Sequence, residues 1–320
     1  VSKIILHIGT HKTATTTIQK TFEHNQKIAH RAGLVYPVLP HRHHGLVADW
    51  IRLPEFYRYP AGAKAHWQNI ATVNGNSDKT VLISTEELSR GSANNRVNFA
   101  ELREWIAPFD EVQVVCSLRD QLSLVQSVYF EVFRKTPSFD WQKYLAACFT
   151  QRQATGVFLD YNDLYDMLLE TFTEEEITFI PFRPNGQGVN PLTNFLDHIG
   201  FGHLAEQMKQ EDANRSHEAL QTWLAVLVNR PDGFDPLLAD AMAPIFEDRR
   251  TTMYARAEAK RIRAEFAPRN ETFLKRYTKL TAADLSMVDY EERDYLFRND
   301  LTPKHWLKLA QVMRHYGQTQ

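Results

Sequence analysis

From His7 to Gln19 the chain reads HIGTHKTATTTIQ, a glycine-bearing turn crowded with hydroxyls and one lysine. Between a strand and a helix, such a turn gathers backbone N–H groups around an anion. The first amides of a helix have no intrahelical partner and stand at the positive end of its dipole. A loop for a nucleoside triphosphate would read G-x-x-x-x-G-K-[ST]. Counted from Gly9, Ala14 falls where the second glycine belongs and Thr15 where the lysine belongs; Thr16 fits the closing hydroxyl. The lysine of this stretch, Lys12, stands earlier, on the rising side of the loop. No lysine is placed to lie along β- and γ-phosphates, which disfavours a kinase with an altered phosphate loop. The plain structural alternative is a strand-to-helix turn capped by threonines.

Three other groups carry chemistry. Glu86 and Glu87 follow the apolar run TVLIS, Thr80 to Ser84. The same letters also fit a helix start with Thr85 as N-cap and acidic residues meeting the dipole. PHRHHG places His41, His43 and His44 in one loop, without the cysteine or spaced histidine pair that would complete a metal site. This loop reads as solvent-exposed or as a mobile loop facing an acceptor. The aromatic stretch WIRLPEFYRYPAGAKAHW, Trp50 to Trp67, suits an acceptor wall for a sugar or phenol, or equally a surface helix packed on the core.

The elements that must position these groups follow from periodicity. KIILHIG is a short β-branched-rich strand ending at Gly9, and a helical pattern runs from about Ala14 to Ala32, with Gly33 as its stop. TVLIS, EVQVVCSLR (Glu111–Arg119) and EEITFIPF (Glu175–Phe182) are further strands. DQLSLVQSVYFEVFRK and YNDLYDMLLETF read as helices. Strands alternating with helices imply a mostly parallel sheet with helices on both faces. From Asn190 the texture turns helical: NPLTNFLDHIGF, SHEALQTWLAVLVNR and the stretch from Pro236 to Phe266. The expected architecture is α/β, one domain over residues 1–320, with a helical C-terminal portion from about residue 190.

An early lysine followed by T-x-T-T resembles the loop of sulfotransferases that use 3′-phosphoadenosine 5′-phosphosulfate. That loop typically reads Lys, small or hydroxyl residue, Gly, Thr, Thr; here it is Lys12, Thr13, Ala14, Thr15, Thr16, with Ala14 departing from glycine. Such enzymes hold the donor's 3′-phosphate with an arginine at a strand end and a serine eight residues later, matched here by Arg119 and Ser127 in LRDQLSLVQSVY. The opening HIGTHKT, this second stretch and the later Asn214–Ser216 are similar to a bacterial sulfotransferase-like branch, over roughly residues 3–230 in layout. The resemblance implies a three-layer P-loop-like fold. It implies His11, Lys12, Thr13, Ala14, Thr15, Thr16, Thr17, Arg119 and Ser127 around the donor, and adenosine 3′,5′-bisphosphate as product. Lys12 would stabilise the leaving phosphate, and no metal would be required. Glu86, just past a strand end, would be the general base, with Glu87, His43 or His44 in reserve. Asn214, Arg215 and Arg183 are candidates for adenine and ribose contacts. A protein that binds the nucleotide or a partner without transferring anything is the competing class.

Composition sets the bounds. The 320 residues are 43% hydrophobic and 24% charged, which fits a globular chain with a self-sufficient core. A net charge of −2 offers no global pull on nucleic acid or anionic membrane. Cys116 sits in an apolar run and, like Cys148, reads as a buried free thiol, which suits a cytoplasmic location. VSKIILHIG shows no leader cleavage pattern, and Val1 points to processing or trimming. No apolar run reaches the ~20 residues of a membrane span. The expected partner is a small-molecule or carbohydrate hydroxyl acceptor, and EFAPRNETFLKRY in the tail is a candidate to close the site or form a homodimer contact.

Overall fold

The computed structural model describes residues 1–182, 190–210 and 217–319. The chain divides into two compact units. The first comprises Val1–Arg119, Gly156–Ala213 and Arg269–Leu285; the second comprises Asp120–Thr155, Asn214–Pro268 and Ser286–Gln320.

In chain order the first elements are β1 (Lys3–His7), α1 (Thr15–His24), α2 (Gln26–Arg31) and β2 (Leu34–Val35). Next come α3 (Gly62–Asn74), β3 (Thr80–Ser84), α4 (Phe99–Trp105) and β4 (Glu111–Leu118). The chain continues through α5 (Gln121–Phe133), α6 (Trp141–Gln151), β5 (Gln153–Ala154), β6 (Val157–Phe158), α7 (Tyr161–Leu169), β7 (Ile177–Pro181) and α8 (Pro191–His198). It ends with α9 (Ala219–Val228), α10 (Pro236–Ala241), β8 (Thr251–Thr252), α11 (Arg256–Arg276), β9 (Leu296–Phe297) and α12 (Pro303–Thr319).

In the first unit, among the described residues, five strands form one sheet in the order β2-β3-β1-β4-β7, and every neighbouring pair is parallel. This is the parallel sheet flanked by helices that the alternating pattern predicts. Parallel strands are buried on both faces, so their residues alternate between two apolar layers rather than between core and water. Ile4, Leu6, Val81, Ile83, Val114 and Cys116 face one layer, closed by Trp67 of α3, Leu102 of α4, Leu164 of α7 and Phe273 of α11. Ile5, Leu82 and Val115 face the other, closed by Ile18 and Phe22 of α1, Ala29 of α2 and Phe195 of α8. Helix, sheet and helix make three layers.

Two expectations need correction. The single helix from Ala14 to Ala32 is broken at Asn25, whose φ is −109°. The Asn25 side chain donates to the carbonyls of Thr21 (2.7 Å) and Lys209 (2.9 Å) and accepts from the Lys209 amide (3.0 Å), so it competes with the helix for backbone partners. The stretch from Pro236 to Phe266 is not helical throughout: β8 interrupts it and pairs in parallel with β9. Thr252 Oγ1 and the Met253 amide both turn to Gln126 Oε1, at 2.8 and 2.7 Å, which draws this segment out of helix.

The second unit has its own core, where Leu220 and Leu224 of α9 meet Leu238, Met242 and Phe246, with Leu309 and Val312 of α12 against them. Glu258 there accepts from Trp141 Nε1, Gln142 Nε2 and the Ala255 amide, and pairs with Arg298 at 2.9 Å. Cys116 is free and buried, as its apolar run implies, and Cys148 is free and buried too. Among the described residues no helix is long and apolar enough to cross a membrane.

Trp67 is fully buried and its Nε1 donates to the Leu46 carbonyl at 2.7 Å, so it joins α3 to the histidine-bearing loop. Trp67→Ala is expected to cost about 3–5 kcal/mol in denaturant unfolding, from lost burial and the cavity left behind. A loss below about 1 kcal/mol would mean that this side chain does not carry the packing described.

Candidate functional site

Strands β2 and β3 lie on one side of β1, and β4 and β7 on the other, so the direction of winding reverses at β1. In an open parallel sheet this reversal leaves a crevice outside the carboxyl ends of the central strands. The Gly9 loop leaves β1 at that place, and Arg119 leaves β4 beside it.

The loop is held by specific bonds. Ile8 donates its amide to the Val115 carbonyl at 2.9 Å, and Thr10 donates both amide (3.0 Å) and hydroxyl (2.9 Å) to the Ser117 carbonyl. Thr13 Oγ1 turns back to the Thr10 carbonyl at 2.5 Å, and Ser89 Oγ donates to the Gly9 carbonyl at 2.8 Å. Gly9 has φ +22°, and a Cβ there would stand 2.8 Å from Thr15 Oγ1 and 3.3 Å from His7 Nε2 and Thr13 Oγ1. Only glycine lets the strand close so tightly on the start of α1.

Lys12 (φ +67°) and Ala14 (φ +61°) are both left-handed. The departure from glycine at Ala14 therefore falls where the backbone does require positive φ. Ala14 is also the N-cap of α1 and has no side-chain acceptor, while its carbonyl takes the first helical bond from Ile18 at 3.1 Å. The amides of Thr15, Thr16 and Thr17 thus lack intrahelical partners. Thr15 is buried and its hydroxyl has no hydrogen-bond partner. Thr16 is exposed and Thr17 half-buried. The Lys12 side chain is exposed, and its carbonyl accepts from Arg119 Nη1 at 2.9 Å. The Arg119 guanidinium also stands 5.5 Å from the centre of the Phe182 ring, and the Arg119 carbonyl accepts from the Tyr161 hydroxyl. The Arg119 guanidinium is therefore tied to the loop that leads into this uncapped helix start, and the loop carries an exposed lysine.

The end of β3 supplies the acidic side. Thr85 caps a short 3₁₀ turn, Glu86–Ser89, its hydroxyl accepting from the Glu87 amide at 3.4 Å. Glu87 is buried; desolvation opposes its ionisation, but the bond from Arg90 (2.7 Å), together with the fields of His11, Arg90 and His44, outweighs it, and its pKa is lowered. Glu86 is half-buried, and Oε2 faces Gln19 Nε2 at 3.4 Å. Gln19 also donates to the Ser84 carbonyl at 3.0 Å, and its Oε1 faces Arg42 Nη1 at 3.4 Å. Gln19 thus orients the carboxylate of Glu86, and among the described residues no cationic side chain pairs with it.

The histidine loop differs from expectation. His43 is not exposed: it is fully buried, with Nε2 on the Pro37 carbonyl at 2.6 Å and Nδ1 accepting from the Ser84 amide at 2.8 Å. A neutral imidazole offers one donor and one acceptor, and these two backbone groups match it. Burial lowers its pKa to about 4, against the bond to Pro37. His44 Nδ1 meets Thr85 Oγ1 at 3.0 Å. His41 is exposed and edge-on to Phe56 and Tyr57. Within the aromatic stretch Trp67 is core, and Trp50 stacks on Trp105 at 4.7 Å; Phe56, 59% exposed, is the ring left to solvent.

Ser127 stands half-buried on α5, in the second unit. Arg183, Asn214, Arg215 and Ser216 lie outside the described residues. Sequence reasoning missed His7, Gln19, Arg42, Ser84 and Ser89. A signal existed for two of them: His7 interrupts an apolar strand, and Gln19 lies beside Ile18 on a helix whose neighbours are core.

No protein-family model matches the chain, and no curated protein matches it. A solved structure to which it is similar is the sulfotransferase from Alicyclobacillus acidocaldarius, 14% identical, with 71% of this chain and 91% of that chain covered and a TM-score of 0.40. At that distance the likeness assigns no residue, and the functional reading has to stand on this chain's own geometry.

Proposed function

We propose that this chain is a sulfotransferase, moving a sulfuryl group from 3′-phosphoadenosine 5′-phosphosulfate to a hydroxyl or amine of a small-molecule or carbohydrate acceptor. The observation that supports it most is the Gly9 loop: an uncapped helix start at the reversal point of a parallel sheet, with its lysine inside the turn, ahead of the helix. The residues present fit a phosphosulfate. The buried Thr15 hydroxyl lacks a partner, the amides of Thr15 to Thr17 are unpaired within the helix, and Gly9 permits close approach.

When bound, the donor supplies a sulfonate activated by its link to the 5′-phosphate. The chain's own residues have distinct tasks. The amides and hydroxyls of Thr15 and Thr16 hold the phosphate. The Lys12 ammonium neutralises charge that grows as the leaving group departs. Arg119 keeps the Lys12 carbonyl turned away from the anion and adds its own positive field. Glu86 takes the acceptor's proton on its carboxylate, held in place by Gln19. Glu87, bound to Arg90, has a lowered pKa and is the poorer base. A second reading, a nucleotide-binding protein without transfer activity, draws on Ala14, which occupies a left-handed position that glycine would take without strain.

Titration calorimetry with adenosine 3′,5′-bisphosphate and with magnesium ATP tests the site. Preference for the bisphosphate by at least about tenfold, near 1.4 kcal/mol, is expected. The reverse preference would return the loop to phosphoryl chemistry. Glu86→Gln should bind the bisphosphate as before and lose about 10²-fold or more in sulfate transfer to any acceptor the parent chain uses. Full transfer activity would move the base to Glu87 or a histidine. Ala14→Gly should raise unfolding stability by about 0.5–1 kcal/mol, because strain at positive φ exceeds the added unfolded-state entropy. A clear loss of stability would show that the left-handed turn is not strained.

A further inference from the structure

Beneath the Gly9 loop lies a run of buried polar groups that the proposed mechanism leaves unused. His43 begins it. The Pro37 carbonyl can only accept, so His43 carries its hydrogen on Nε2 and presents a bare Nδ1 to the Ser84 amide. The next group is the Ser84 hydroxyl, 2.9 Å from Nδ1 of His7. His7 is fully buried against the ring of Phe195, at 4.5 Å between centroids, and desolvation lowers its pKa to about 3, so one ring nitrogen carries hydrogen and the other does not. Its Nε2 has no hydrogen-bond partner, and neither has Thr15 Oγ1. Both border the same small space, 3.3 and 2.8 Å from where a Gly9 Cβ would stand.

We infer that His7 is a positioning residue for the anion in the Gly9 loop: Ser84 donates to His7 Nδ1, His7 Nε2–H donates to Thr15 Oγ1, and the Thr15 hydroxyl hydrogen is thereby directed at the anion. The inference rests on the proposed reading only in taking the loop to hold an anion. The opposite tautomer would leave Nε2 bare. It would draw the Thr15 hydrogen inward and turn hydroxyl lone pairs toward negative charge. An anion therefore selects the arrangement in which each hydrogen points toward it. Two buried groups without hydrogen-bond partners, His7 Nε2 and Thr15 Oγ1, would gain them together.

The test is calorimetric titration of the full chain with inorganic pyrophosphate and, separately, with adenosine 3′,5′-bisphosphate. His7→Leu and Thr15→Val should each weaken pyrophosphate binding about tenfold, the size of one hydrogen bond to a charged group, and the double variant should be no worse than either alone. His7→Gln, which restores an N–H near Nε2, should recover affinity to within about threefold. Should His7→Leu fail to fold, His7→Gln and the ring ¹⁵N shifts of the parent chain with pyrophosphate decide the matter, with hydrogen on Nε2 expected. Additive losses, an unaffected His7→Leu, hydrogen on Nδ1, or no pyrophosphate binding by the parent chain would each overturn the relay. Pyrophosphate binding without bisphosphate binding would leave the relay standing and remove the sulfotransferase reading.

Discussion

Thr10 gives both its amide hydrogen and its hydroxyl hydrogen to one carbonyl, that of Ser117, and the candidate site depends on that pair of hydrogen bonds. It carries the β1–β4 pairing beyond the end of the strand. The chain then turns through the left-handed Lys12 and Ala14 before α1 can begin. Ser89 holds the Gly9 carbonyl from the β3 side, and Arg119 holds the Lys12 carbonyl from the β4 side. Three fixed carbonyls leave little freedom to the amides that follow. Donors oriented before a ligand arrives need not be reorganised when charge develops, which is where electrostatic catalysis gains most.

The interior below the loop is unusually polar for a parallel sheet. His7, Gln19, His43 and Ser84 are all fully buried. Such groups are tolerated because they bond one another and nearby backbone, and leaving one unpaired costs about 1–3 kcal/mol. Gln19 satisfies the Ser84 carbonyl, and His43 satisfies the Ser84 amide. The exceptions at Thr15 Oγ1 and His7 Nε2 gather at the Gly9 turn. Other unpartnered buried atoms, such as the Tyr36 hydroxyl and Gln113 Oε1, lie elsewhere, but these two share one small space beside an uncapped helix start.

Two adjacent carboxylates illustrate how surroundings divide labour. Glu87 is buried and tied to Arg90, so its charge is consumed locally and secures the 3₁₀ turn. Glu86 is half-buried beside the neutral amide of Gln19, which orients a carboxylate without quenching it. Arg42 reaches the same glutamine and also Glu23, at 3.5 Å, so the histidine loop is joined to α1 and to the acidic edge by one chain of polar contacts.

The strands β1, β3, β4 and β7, their parallel arrangement and the place of the Gly9 loop were legible in the sequence, because apolar runs, caps and turns are local features. The helix break at Asn25 was not, since it depends on Lys209, far along the chain. The burial of His43 was hidden for the same reason. PHRHHG looks like a surface loop until the Pro37 carbonyl and the Ser84 amide close on the ring. The sequence by itself determined which residue types surround the loop and that its lysine comes ahead of the helix rather than at the helix start. Only the tertiary structure decided that Ala14 is left-handed, that among the described residues Glu87 meets an arginine while Glu86 meets the amide of Gln19, and that His7 and Thr15 border one small space. Backbone sign, ion pairing and burial depend on partners from several elements, and local sequence carries no record of them.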